Sequence, residues 1–307
     1  VSETRTPGAG RTEVLDHLVL DESEWGERER RHVERTDEFL RPHQERARRG
    51  EAHPVWDFLF SYYSLRPRQL RRWHPGYGVA LDGPSADRFA ERSGYARCGR
   101  AVTVTREHLV SRVETIEFIA RLMDATADRP ARLNCFGLHE WAMVYRTSDV
   151  RHGQVPLRLG AAGTDAVVES TPLRCSHFDA YRFFTTTAVP RNAEPLSRET
   201  QTETEQPGCV HANMDLYKWS YKLGPLVSSE LLMRCLDLAA AARVLDMQAS
   251  PYDLAAYGIE PIAIEDAMGR AEYARRQRDI ADRAAPLRAA LSERCHDLLV
   301  VARSETG

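Results

Sequence analysis

Ser228-Ser-Glu-Leu-Leu-Met-Arg-Cys-Leu-Asp-Leu-Ala-Ala-Ala-Ala-Arg-Val-Leu-Asp-Met247 holds no glycine or proline and is built largely of leucine and alanine, which are among the best helix formers. Ser228 or Ser229 can serve as N-cap, and Glu230 falls in the first turn, where a negative charge meets the positive end of the helix. The spacing predicts a helix over 228–247. Downstream, Ser250-Pro-Tyr-Asp253 reads as a turn, and 266–300 reads as a long, charge-mixed helix interrupted or bent near Pro286. Upstream, Leu109, Val113, Ile116, Ile119, Ala120 and Met123 recur at helical intervals, which predicts an amphipathic helix over 106–127. Residues 21–49 are dense in Glu and Arg and read as a solvent-facing helix, with Pro42 as the place for a break. His53-Pro-Val-Trp-Asp-Phe-Leu-Phe-Ser-Tyr-Tyr63 is apolar enough to be buried, and Pro54 suits a first helical turn. Residues 150–172 carry glycines and short β-prone pieces and predict a loop or small hairpin. Residues 185–208 are polar and long, and predict a lid. The expected fold is therefore mainly α, a single helical domain over 21–307 with a few short strands, behind a disordered tail over 1–20.

Composition narrows the partners. Of 307 residues, 42% are apolar and 28% charged, ordinary values for a globular chain able to bury a large core. A net charge of −3 gives no general attraction to nucleic acid or anionic membrane. No apolar run approaches the roughly 18 residues a membrane span needs. Six cysteines without a Cys-x-x-Cys pair fit reduced thiols, and with a polar N-terminus they predict a cytoplasmic protein. A small-molecule substrate is the expected partner, with DNA disfavoured, no membrane, and self-association into a homo-oligomer left open.

Three segments place a cysteine just ahead of a histidine and a carboxylate just beyond it: Cys135-Phe-Gly-Leu-His139-Glu140, Cys175-Ser-His177-Phe-Asp179 and Cys209-Val-His211-Ala-Asn-Met-Asp215. Histidine and carboxylate are the usual ligands of zinc, iron and manganese, and the usual general acids and bases. His211 and Asp215, four apart, share a face if their segment is helical. His177 and Asp179, two apart, share a face if theirs is a strand. These four are the expected metal ligands. The competing explanations are a helix pinned by a His–Asp hydrogen bond and an aromatic strand with a polar rim. His139 and Glu140 are adjacent, so they project about 100° apart on a helix; with Tyr217 they are the catalytic candidates. Arg182, Lys218, Trp219 and Arg72 are the substrate-binding candidates. Arg72 belongs to a basic run, Arg66 to His74, that is read either as an anion clamp or as a solvated face. The cysteines read first as small core residues, with thiolate ligation or nucleophilic attack as the alternatives.

Several strings together resemble a bacterial family labelled 3-methyladenine DNA glycosylase: His53-Pro-Val-Trp-Asp-Phe-Leu-Phe-Ser-Tyr-Tyr63, Arg72-Trp-His-Pro-Gly76, Gly137-Leu-His-Glu-Trp-Ala-Met-Val-Tyr145, His177-Phe-Asp-Ala-Tyr-Arg-Phe-Phe184, Gln206-Pro-Gly-Cys-Val-His-Ala-Asn-Met-Asp-Leu-Tyr-Lys-Trp219 and Ala249-Ser-Pro-Tyr-Asp-Leu254. The resemblance spans about residues 50–285 and implies an N-glycosidase that releases a nucleobase. Asp215 or Glu140 would then activate water, and the arginines of 66–72 would hold phosphate. Glycosylases of the helix-hairpin-helix class carry a Gly-rich hairpin; here Leu223-Gly-Pro-Leu226 has one glycine. The residues themselves point first to a metal-dependent enzyme of oxidoreductase type. Non-haem iron is the favoured divalent metal, with manganese or zinc behind it, and the substrate is a small polar metabolite. The N-glycosidase is the alternative enzyme, and a non-catalytic ligand-binding protein is the third class.

Overall fold

The computed structural model describes residues 17–148 and 154–304. Helix dominates them, as expected. The first part of the chain runs β1 (Leu18–Leu20), α1 (Glu22–Arg49), α2 (Phe58–Ser61), α3 (Pro67–Leu70), β2 (Val79–Asp82), α4 (Asp87–Ala90), β3 (Tyr95–Cys98), β4 (Ala101–Val104), α5 (Arg106–Val110) and α6 (Val113–Ala127). There follow α7 (Leu138–Ala142), α8 (Gly160–Ser170), α9 (Phe178–Tyr181), α10 (Gln201–Thr204), α11 (Val210–Leu223), α12 (Ser229–Gln248) and α13 (Ala267–Arg303).

The strands form one sheet in the order β1-β2-β4-β3, with β1 and β2 parallel and the other pairs antiparallel. The β3–β4 hairpin turns at Gly99, whose φ of 61° is open to glycine without steric cost. The expected tail over 1–20 stops short of β1: residues 18–20 pair with 79–81, and Leu20 is buried. Residues 1–16 lie outside the described residues.

α1 begins in a capping box, with Asp21 accepting from the backbone N–H groups of Ser23 and Glu24 at 2.8 and 2.9 Å, and it ends on left-handed Gly50. Neither expected proline break occurs. Pro42 and Pro286 both lie on exposed faces, and the carbonyls they leave without an amide partner, on Glu38 and Asp282, belong to exposed residues where water can reach them. The expected helix over 106–127 is two helices, α5 and α6. Pro54 precedes α2 by four residues rather than opening it. The expected loop or hairpin over 150–172 is in large part α8, which turns Val167 and Val168 into the core and packs on α7, so tertiary burial overrides the β preference of valine; residues 150–153 lie outside the described residues.

α12 forms where the sequence places it, with Ser228 accepting from the Leu231 N–H at 3.3 Å. At the centre runs α11, whose residues 210–220 are all buried, enclosed by α6, α12 and α13. One hydrophobic core is continuous from Leu20 to Leu299. No helix among the described residues is long and apolar enough to cross a membrane.

Candidate metal centre

A central helix buried on every side must satisfy each polar group it carries. α11 carries His211, Asp215 and Lys218 on one side, and the elements around it supply their partners. α7 brings His139 and Glu140. The turn before α7 is left-handed at both Phe136 (φ 49°) and Gly137 (φ 71°). A Cβ on Gly137 would lie 3.0 Å from that of Ala249, so this close approach needs glycine, while Phe136 adopts a conformation uncommon for a non-glycine residue. α12 brings Arg243 and Asp246, one helical turn apart. α9 brings Asp179, with His177 just ahead of it.

These side chains form two triads within which the donor atoms all lie inside 4.8 Å of one another: His139, His211 and Asp246, and His177, Asp179 and Asp215. All six residues are buried. In the first triad, His139 Nε2 is 2.7 Å from Asp246 Oδ1 and His211 Nε2 is 3.7 Å from Asp246 Oδ2, so both imidazoles present Nε2 to one carboxylate. The two rings meet edge-to-face at 4.4 Å. In the second triad, His177 Nε2 is 3.5 Å from Asp215 Oδ2, and its Nδ1 is 3.0 Å from Glu205 Oε1. Neither approach is aligned as a hydrogen bond, so both ring nitrogens of His177 are buried and close to carboxylate oxygens without a bond to either. The triads adjoin through His177 and His211, whose rings stack at 5.6 Å.

Cations brace the carboxylates. Lys218 Nζ donates to Asp179 at 2.9 Å and also to Asp215. Arg198 binds Asp179 through both terminal nitrogens. Arg243 donates to Glu140 at 2.9 Å and to Asp246 at 2.8 Å, and the Tyr63 hydroxyl donates to Asp215 at 3.0 Å. Burial alone would raise the carboxyls, but Lys218 and His177 hold Asp215 well below the usual range, and His139, His211 and Arg243 do the same for Asp246. Asp179, opposed likewise by burial, is drawn down to about 2 by Lys218 and Arg198. Burial also works against charge on His177, but Glu205 and Asp215 outweigh it and push the imidazole up to about 9. His211 is pushed down to about 3 by burial, which outweighs the pull of Asp246. It is therefore a neutral imidazole, the form that ligates metal.

Five carboxylates (Glu140, Asp179, Glu205, Asp215, Asp246) meet four side chains of fixed positive charge (Lys218, Arg182, Arg198, Arg243) in these contacts. The difference is one negative charge, which a protonated His177 offsets. Uncompensated buried charge costs several kcal/mol per ion.

The four expected ligands thus converge on one region but divide between two triads: His177, Asp179 and Asp215 in one, His211 in the other. His177 and Asp179 are not on a strand. His177 is the extended residue before the short helix α9, and the first turn of that helix carries Asp179 to Lys218. His139 stands among the candidate ligands. Glu140 faces Arg243 instead of the triads. Tyr217 turns its ring edge-on to Tyr63 at 5.3 Å, and its buried hydroxyl has no hydrogen-bond partner among the described residues, so Tyr63 is the phenol that reaches a carboxylate.

Lys218 is committed to Asp179 and Asp215, and Trp219 backs it, with the ammonium 4.3 Å from the ring centre, so neither is free for a substrate. Arg182 Nε lies 3.5 Å from Asp179 Oδ1 and the side chain is 45% exposed, so it remains available. Arg72 is exposed and its electrostatic neighbours are His74 and Arg92, away from the triads.

Residues 185–208 are not a lid. Ala188, Gln201, Glu205 and Gln206 are buried, and Gln201 Nε2 holds Glu205 at 2.6 Å against His177. The cysteines join neither triad. Cys135, Cys175 and Cys209 line a cavity of about 10 Å³ beside His139 and His211, room for about one water. Burial pushes the Cys175 thiol up to about 12, so it is not a thiolate.

Arg198 and Glu205 belong to the polar 185–208 stretch expected to close over a ligand, whereas Asp246, Arg243 and Tyr63 are the site residues that motif reading missed. The signal for two of them was present: Arg243 and Asp246 are charges three apart in the otherwise apolar stretch 238–247, which burial makes costly unless they have partners.

No family model, curated protein or solved structure matches the chain.

Proposed function

We propose that this chain is a metal-dependent enzyme of oxidoreductase type that binds iron at His139, His211 and Asp246 and acts with dioxygen on a small polar metabolite. The observation that carries the proposal is the donor set. Two neutral-capable imidazoles and one carboxylate converge, buried, on one point, and two-His-one-carboxylate with open positions is the set used by non-haem iron oxygenases. When bound, such a metal supplies the redox chemistry and polarises the oxygen atoms it touches.

The chain's own residues do the rest. His139, His211 and Asp246 would hold the metal, and Arg243 holds the Asp246 carboxylate by a hydrogen bond. His177, stacked beside His211, holds a proton between Glu205 and Asp215. Tyr63 and Lys218 keep Asp215 ionised. The apolar packing of α11 excludes bulk water, which strengthens each of these contacts.

Manganese suits the same donors, and zinc comes next. The N-glycosidase alternative has less support, because Arg66, Arg68, Arg71 and Arg72 are all exposed and none lines a cavity beside the carboxylates. Oxygen uptake separates the chemistries. Fe(II)-loaded protein given a panel of small carboxylic acids should consume dioxygen well above the Zn(II)-loaded form. Equal, negligible uptake by both forms across the panel contradicts the redox assignment.

A further inference from the structure

We infer that the cavity of about 460 Å³ between the 52–62 segment and Arg182 is the substrate vestibule of the two triads, and that it takes a planar aromatic monocarboxylate. This rests on the triads being the reacting centre, and it adds where substrate enters and what it is. The volume falls within the range of small-molecule sites, roughly 300–1,000 Å³.

Three of its walls touch the buried charges directly and a fourth reaches them through one side chain. Phe58 lies with its ring 3.9 Å from the guanidinium carbon of Arg243. Pro54 accepts from Arg243 through its carbonyl at 3.4 Å. Tyr62 packs edge-on against Tyr63, ring centres 5.0 Å apart, and Tyr63 in turn donates to Asp215. Arg182 contacts Asp179. Burial and the nearby Asp215 and Asp179 carboxylates push the Tyr62 phenol well above its usual range, so it is a neutral hydroxyl between cavity and charges.

The lining selects charge and shape. Asp57, the acid in the wall, is already neutralised: Arg46 and His43 contact Oδ1 at 2.9 and 2.8 Å, and the His53 N–H donates to Oδ2 at 2.7 Å. Arg182 is in the opposite position. Its acid, Asp179, is shared with Lys218 and Arg198, and both of its contacts with Asp179 use Nε, so its guanidinium, 4.4 Å from the Phe183 ring centre, keeps its terminal NH₂ groups without a hydrogen-bond partner among the described residues. One unspent guanidinium fork matches one carboxylate bidentately; a phosphate dianion would leave a charge unmet. Phe58 and Tyr62, stacked on each other at 4.7 Å and 9°, and Tyr257, packed on His53 at 5.1 Å, give the cavity an aromatic lining suited to a planar ring.

The test uses EDTA-treated full-length protein and saturation-transfer NMR titrations with benzoate, cyclohexanecarboxylate, phenyl phosphate and benzylamine. Benzoate should bind with a Kd of about 1 mM or tighter, the cyclohexane and phosphate analogues several-fold more weakly, and benzylamine not at all. Arg182→Gln, with an unchanged circular dichroism spectrum, should weaken benzoate at least tenfold, and Tyr62→Leu should erase the preference for benzoate over its cyclohexane analogue. Benzoate that does not bind, or that binds Arg182→Gln as well as wild type, overturns the vestibule. Because the titration is done without metal, that failure is separate from a failure of the metal assignment, which metal analysis reads alone.

Discussion

Buried and half-buried histidines occur in two regions of this molecule, and their neighbours set them apart. On the sheet side, between α1, α3 and β3, His32 Nε2 meets the Leu70 carbonyl at 2.8 Å and His74 Nδ1 meets the Tyr95 hydroxyl at 2.9 Å. Their partners are neutral, and burial lowers both imidazoles, His74 to about 3. Around α11, His139, His177 and His211 face Asp246, Asp215 and Glu205 instead. Burial is common to both groups. The difference is the set of carboxylate partners, which makes the α11 region the candidate site. The same contrast appears in the arginines: Arg243 is fully enclosed between two acids, while Arg71 pairs with Asp37 in solvent.

The largest expected effect comes from the enclosed arginine. Arg243→Met leaves Glu140 and Asp246 buried with their cation gone, and should lower unfolding free energy by about 3–5 kcal/mol in metal-free protein. Arg71→Met should cost nothing measurable by urea denaturation. Equal losses would erase the distinction between the regions.

Next comes the 185–208 segment. Glu205→Ala removes the acceptor of Gln201 and the neighbour of His177, and should cost about 1–3 kcal/mol. A surface lid would lose turnover with stability intact, and thermal melts tell the two apart.

The effect that is smallest at neutral pH lies on the sheet side. Because His74 has its folded-state pKa lowered from 6.5 to about 3, the unfolded chain binds the extra proton between those values. The neutral form's contribution is therefore complete above pH 6.5 and is lost as pH falls toward 3. His74→Gln should remove that slope, about 1 kcal/mol per pH unit inside the window, while leaving metal content unchanged. A slope identical to wild type would contradict the neutral assignment.

Local chemistry made much of the fold legible. α12 was readable from its leucines, alanines and Ser228 cap, and α6 from its apolar spacing. The sheet was not, because each strand is three or four residues long and gains its stability from partners distant in sequence. Pro42 and Pro286 misled because a proline's cost depends on which face it occupies. In the site, His139, His177, Asp179, His211 and Asp215 stood out by type and spacing. Their division into two triads did not, since Asp246 lies 31 residues beyond Asp215 and only the packing of α12 on α11 brings it in. Glu205 was hidden in a polar stretch whose composition resembles solvent-facing loop. Tyr217 and Tyr63 exchanged places because both lie in aromatic runs, and only the Asp215 contact separates them.

Metal content tests the central claim most directly. Purified protein, its His211→Ala variant and its His32→Ala variant should be analysed by inductively coupled plasma mass spectrometry after growth with iron, manganese and zinc supplied. The account predicts about one transition metal per chain in wild type and in His32→Ala, and at least a tenfold lower content in folded His211→Ala. Wild-type protein without stoichiometric metal, or His211→Ala that retains it, would contradict the account.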